Sequence, residues 1–129
     1  MNSPVLYALA RFLIASVFVG IGAERLLTAF GWLGAEGTTT FSNGALGFSA
    51  FEVIAGLCIM AGYQVRWIAL LMAIFLLVDA FMAHSFWKFP ATERHEQLLH
   101  FLKNLSCAGG LLLLSGVAGA KAVKTWERR

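Results

Sequence analysis

Polar and apolar residues along this chain fall into long blocks rather than periodic stripes. Val5–Ala23, Ala45–Tyr63, Trp67–Ala83 and Leu105–Ala120 are almost wholly apolar. Each block runs roughly 16–20 residues, and polar flanks extend it to the length that crosses a bilayer as a helix. A soluble amphipathic helix would instead repeat its apolar residues every three or four positions. The blocks predict an all-α membrane protein, a single domain over residues 1–129. They place a left-handed four-transmembrane-helix bundle at about 4–29, 43–63, 66–87 and 93–120.

Local signals set these bounds. Ser3-Pro4 offers a capping hydroxyl followed by proline at the first helical position. Gly31–Asn43 is polar and glycine-rich, and reads as the one substantial loop. The second helix begins near Ser42-Asn43. Only Tyr63–Arg66 separates it from the third, which predicts a tight antiparallel hairpin of these two. Pro90 closes the third segment, Thr92 is a candidate cap, and Glu93 suits the first turn of the fourth helix. That helix is expected to start well before its apolar core, carrying Glu96, Gln97 and His100 in its opening turns.

Composition agrees: 59% of residues are hydrophobic, against about 45–50% for a soluble domain. The formal charge of +3 comes mostly from Lys121, Lys124, Arg128 and Arg129. Beside four spans such a tail marks a cytoplasmic end touching anionic lipid rather than a nucleic-acid site. With Arg66 it outweighs Arg25, Lys88 and Arg94 on the opposite side, which predicts both termini in the cytoplasm. The four tryptophans, Trp32, Trp67, Trp87 and Trp126, then sit at span ends as an aromatic belt. Cys58 and Cys107 read as small buried hydrophobes. The first helix, with no basic stretch before it, reads as a retained anchor.

Candidate chemistry lies inside the spans. Arg11, Glu52, Asp79 and Lys103 each lie inside one of the predicted spans, and a charge near the bilayer centre costs about 3 kcal/mol even on lenient scales. In the predicted topology Glu52, Asp79 and Lys103 lie roughly 10 Å below the outer interface. Arg25 stands at the outer edge, while Arg11 lies deeper and has no obvious mate. His100, Lys103, Asn104 and Cys107 share one face of the fourth helix. His84 lies about 140° round the helix from Asp79 and need not share its direction. The convergence predicts a polar pocket of Arg25, Glu52, Asp79, His84, His100, Lys103 and Asn104.

Plainer roles stand beside that pocket. Glu52–Lys103 or Asp79–Lys103 pairs would only fix helix register, and Arg25 would snorkel to the headgroups. Two histidines are too few for a metal, and none is expected. Donors below a wet mouth suit a quinone: Lys103, His100 and Arg25 to its carbonyls, with Phe18, Phe51, Phe86 and Trp87 against its ring.

The run ARFLIASVFVGIGAERLL resembles the opening helix of the DoxX family. FEVIAGLCIMAGYQVRWIAL is similar to that family's glutamate-bearing second helix and short arginine-containing turn. HSFWKFP and EQLLHFLKNLSCAGGLLLL look like the histidine–phenylalanine–tryptophan and lysine–asparagine signatures of its larger branch. The likeness covers about residues 8–118. It falls on Arg11, Gly22, Arg25, Glu52, Gly56, Arg66, His84, Phe86, Trp87, Lys103, Asn104 and Gly110, with lysine common at position 25. Asp79 has no counterpart. The resemblance implies a multi-pass bacterial inner-membrane protein, an accessory or quinone-contacting subunit of a membrane redox system. Its expected partners are the lipid bilayer and another membrane subunit or a second copy of the chain, with no nucleic acid. A structural subunit of a larger complex, or a small-solute or proton carrier, are the other readings. Catalysis by this chain alone is not expected.

Overall fold

The computed structural model describes residues 3–33 and 43–126, with side chains to residue 120. Four α-helices follow one another: α1 Pro4–Ala29, α2 Asn43–Ala61, α3 Val65–Met82 and α4 Ala91–Trp126. A 3-10 turn, Phe86–Lys88, lies between α3 and α4. The described residues contain no strand. All four helices are long and apolar enough to cross a membrane.

The ends follow from capping chemistry. The Ser3 hydroxyl accepts from the Leu6 backbone N–H at 3.3 Å, and Pro4 holds the first helical position. α1 stops because Gly31 turns to φ +73°, so that Gly31 and Trp32 donate back to the Thr28 and Leu27 carbonyls. α2 stops the same way at Gly62, φ +85°, with Gly62 and Tyr63 donating to Ile59 and Cys58. Both are Schellman closures, which require a residue at ease with positive φ.

The chain falls into two compact units, Met1–Gln64 and Val65–Arg129, where the sequence suggests one domain. In the first, α1 packs on α2; in the second, α3 packs on α4. The expected pairing of the second and third helices falls at the junction of these units. α1 buries Tyr7, Ala15, Phe18 and Gly22, and α2 buries Ser49, Glu52, Ala55, Gly56 and Ile59. A β-carbon at Gly22 would stand 2.8 Å from the Ser49 carbonyl, and one at Gly56 would stand 2.7 Å from Val19 Cγ2. Small residues thus let the two backbones close on each other. α3 buries Ala69, Met72, Ala73 and Ala80, and α4 Asn104, Ala108, Leu111 and Leu114. The Ser115 hydroxyl donates to the Arg66 carbonyl at 2.8 Å, fixing the far end of this unit. Large apolar side chains such as Phe12, Ile54, Ile74 and Leu113 point out of their units, an arrangement that water penalises and a bilayer accepts.

Several expected bounds move. α2 ends at Ala61 rather than residue 63, and α3 ends at Met82 rather than residue 87. Thr92 lies inside α4, because the Pro90 carbonyl takes the N–H groups of Glu93 and Arg94 and starts the helix earlier. α4 runs past residue 120 to Trp126. Its 36 residues extend about 54 Å, beyond a hydrocarbon core of about 30 Å. Cys58 and Cys107 are free and half-buried rather than fully buried. The Ser42 cap, the loop over 34–42 and the side chains of the basic tail lie outside the described residues.

Candidate functional site

The break after α3 builds the larger cluster. Ala83 still donates to the Asp79 carbonyl, but His84 and Ser85 leave the helix and Phe86–Lys88 form the 3-10 turn. Phe89, which precedes Pro90, is extended at φ −93°, ψ 151°, as the proline ring requires of its neighbour. Aromatic packing holds the turn down. Phe86 and Trp87 meet edge to face at 5.1 Å, and both lie edge-on to Phe101 of α4, at 5.6 and 5.9 Å. Phe81 completes the group, 5.2 Å from Phe101. Rings so arranged gain contact through their quadrupoles as well as their area.

This turn carries His84 back beside Asp79. His84 Nε2 lies 3.5 Å from Asp79 Oδ2, although a continuous helix would have separated the two directions. The helix ends before His84, so the helical phase does not apply to it. Asn104 Nδ2 donates to the same Asp79 oxygen at 2.7 Å. His84 Nδ1 pairs with Gln97 Oε1 at 2.8 Å, so both ring nitrogens are engaged. His84 also stacks on His100, with ring centroids 4.9 Å apart and planes 22° off parallel. His100 Nδ1 is 3.5 Å from Lys103 Nζ, and its Nε2 is 3.9 Å from Glu96.

Lys103 is exposed while the adjacent Asn104 is buried. Successive helical residues point about 100° apart, so only one of them can face α3. Asp79 therefore takes its hydrogen bond from Asn104 and a second contact from His84, not from Lys103 as opposite charge alone suggested.

The smaller group lies in the first unit. Arg25 Nη1 donates to Glu52 Oε2 at 3.3 Å, with the Glu52 side chain buried and that of Arg25 part-exposed. Arg25 thus reaches across to α2 instead of only snorkelling, and meets Glu52 within the first unit. Gly22, one turn before Arg25, brings the helices close enough, since its hypothetical β-carbon would lie 3.4 Å from Glu52 Cβ. Within the first unit Arg25 meets Glu52, and within the second Asp79, His84, His100, Lys103 and Asn104 lie together.

The DoxX family model matches residues 6–85, more than half of the chain. The chain belongs to the DoxX family. A model described as the SURF4 family matches residues 46–126 and overlaps the first over α2 and α3. This DoxX protein is also 27% identical over 128 residues to "Inner membrane protein YphA" of Escherichia coli (strain K12), covering 97% of this chain and 91% of that one. No solved structure matches it. With such a relative and four membrane-length helices, it is a multi-pass inner-membrane protein.

Sequence reasoning on this DoxX protein did not assign Gln97 or Phe101 to the site. Gln97 and Asn104 are seven residues apart, two helical turns on one face, and Phe101 falls between them. That spacing was the available signal.

Proposed function

We propose that this DoxX-family protein is a quinone-contacting accessory subunit of a membrane redox system, with the contact made by the second unit. The observation that carries the reading is the polar row Asp79–His84–His100–Lys103 beside the Phe81, Phe86, Trp87 and Phe101 rings. The donor chemistry fits a quinone. His84 has both nitrogens engaged and serves to position its neighbours. Among the described residues Lys103 meets only His100, at 3.5 Å, and so has donors left for a carbonyl oxygen. Trp87 and Phe81 are each about half exposed and offer ring surface to a flat apolar headgroup. In this reading the chain holds and orients the quinone, a partner subunit carries the electrons, and both termini face the cytoplasm. Gentle purification followed by lipid extraction tests it. Stoichiometric quinone is expected, and its absence from wild type in repeated mild preparations counts against the site.

A structural subunit of a larger membrane complex is the second reading, favoured by the closely packed first unit with its internal Arg25–Glu52 pair. It predicts that Glu52→Gln and Lys103→Met lower the amount of assembled complex and leave its specific activity untouched.

A further inference from the structure

Arg11 takes no part in either polar group. It sits in α1, and its guanidinium packs against Gly62 at the end of α2. On its other side lies the Tyr7 ring, 5.2 Å from Cζ to centroid. Among the described residues no carboxylate lies within ion-pair distance of Arg11, and its Nε is buried with no hydrogen-bond partner. An arginine within a membrane span pairs with an acid or with backbone carbonyls, or reaches out to the interface.

Two features say where the partner of Arg11 lies and of what kind it is. α2 has 19 residues, about 28 Å, close to the thickness of the hydrocarbon core, about 30 Å. Gly62 therefore stands at the membrane interface, and the guanidinium stands there with it, at the depth of lipid headgroups. The exposed Tyr63 beside it suits that depth. The terminal carbonyls of α2 carry partial negative charge, but Ile59 and Cys58 already accept from Gly62 and Tyr63. With Nη1 turned to Gly62 and Nε buried, Nη2 is the guanidinium donor left for a charge-assisted hydrogen bond to an oxyanion.

We propose that Arg11, backed by Tyr7 and seated on the Gly62 turn, binds a phosphate oxyanion, the headgroup phosphate of an anionic phospholipid. The guanidinium charge then gains its counter-charge, and the site favours headgroups with net negative charge over zwitterionic ones. The first unit alone supplies every residue involved, so the proposal stands apart from the quinone reading.

Native mass spectrometry of the delipidated full-length protein, titrated with phosphatidylglycerol or phosphatidylcholine, tests it. One phosphatidylglycerol is expected to bind at least tenfold more tightly than phosphatidylcholine, and Arg11→Gln is expected to remove that preference. Arg11→Lys keeps the charge but loses the planar guanidinium that rests on Tyr7 and Gly62, and should weaken binding at least threefold; it carries the test if Arg11→Gln does not fold. Thermal unfolding with inorganic phosphate alone distinguishes the sources. A wild-type stabilisation by phosphate that is lost in Arg11→Gln assigns the site to the free anion, and one by phosphatidylglycerol only assigns it to lipid. Equal lipid retention by wild type and both variants overturns the proposal.

Discussion

Alanine at Gly22 should loosen the first unit, and alanine two residues away at Gly20 should not. At Gly22 the new β-carbon would meet the Ser49 backbone oxygen and Val53 Cγ2, each at 2.8 Å. Carbon contacts settle at about 3.5–4.0 Å, so α1 and α2 must part by about half an ångström or more. Ser49 O belongs to a helical backbone and cannot turn aside, and Val53 is stiff at χ1. Overpacking of this kind costs about 1–3 kcal/mol. At Gly20 nothing lies within 4 Å of the same atom, and the better helix propensity of alanine contributes up to about 1 kcal/mol. The two variants should therefore differ by about 1–4 kcal/mol in equilibrium unfolding in detergent. Separation of the helices also stretches the Arg25–Glu52 pair at 3.3 Å, so Gly22→Ala combined with Arg25→Gln should destabilise by less than the sum of the two. A Gly22→Ala protein as stable as Gly20→Ala would refute the close approach of α1 and α2.

Other outcomes follow from the same contacts. Gly62→Ala should lower stability by more than Gly31→Ala: both have positive φ, costing about 1–2 kcal/mol for a side chain, but only Gly62 also meets the Arg11 guanidinium. Circular dichroism melts of the two variants would compare them. Glu52→Gln and Arg25→Gln should each cost about 1 kcal/mol, limited by the exposure of Arg25, and a double-mutant cycle should show positive coupling; strict additivity would remove the pair from the account. Asn104→Leu strips Asp79 of its 2.7 Å donor and should cost about 1–3 kcal/mol, with a change in the His84 imidazole resonances. Lys103→Met, at an exposed position, should stay within about 0.5 kcal/mol of wild type and change quinone binding alone.

Four helices were legible because unbroken apolar runs of that length have few other solutions in a short chain. The end of α3 was not. AFMAHSFWKFP contains no glycine and its proline comes late, so the helical pattern continues on paper past the point where aromatic packing on Phe101 turns the backbone. The polar residues themselves were visible, since ionisable groups inside apolar runs stand out. Their partners were not. Opposite charge nominated Lys103 for Asp79, whereas helix phase gives that place to the neutral Asn104 next to it. Arg25–Glu52 depended on how closely α1 and α2 approach, which Gly22 and Gly56 decide and which charge patterning does not reveal.

The quinone reading is tested most directly by a full-length protein that retains Trp87 as its sole tryptophan, reconstituted in nanodiscs and titrated with a short-chain quinone. Trp87 fluorescence should quench saturably at one quinone per chain, and Lys103→Met should raise the Kd about tenfold, the loss of about 1.4 kcal/mol that one hydrogen bond from a charged donor carries. Quenching that rises linearly without saturation, or that is identical in Lys103→Met, contradicts it.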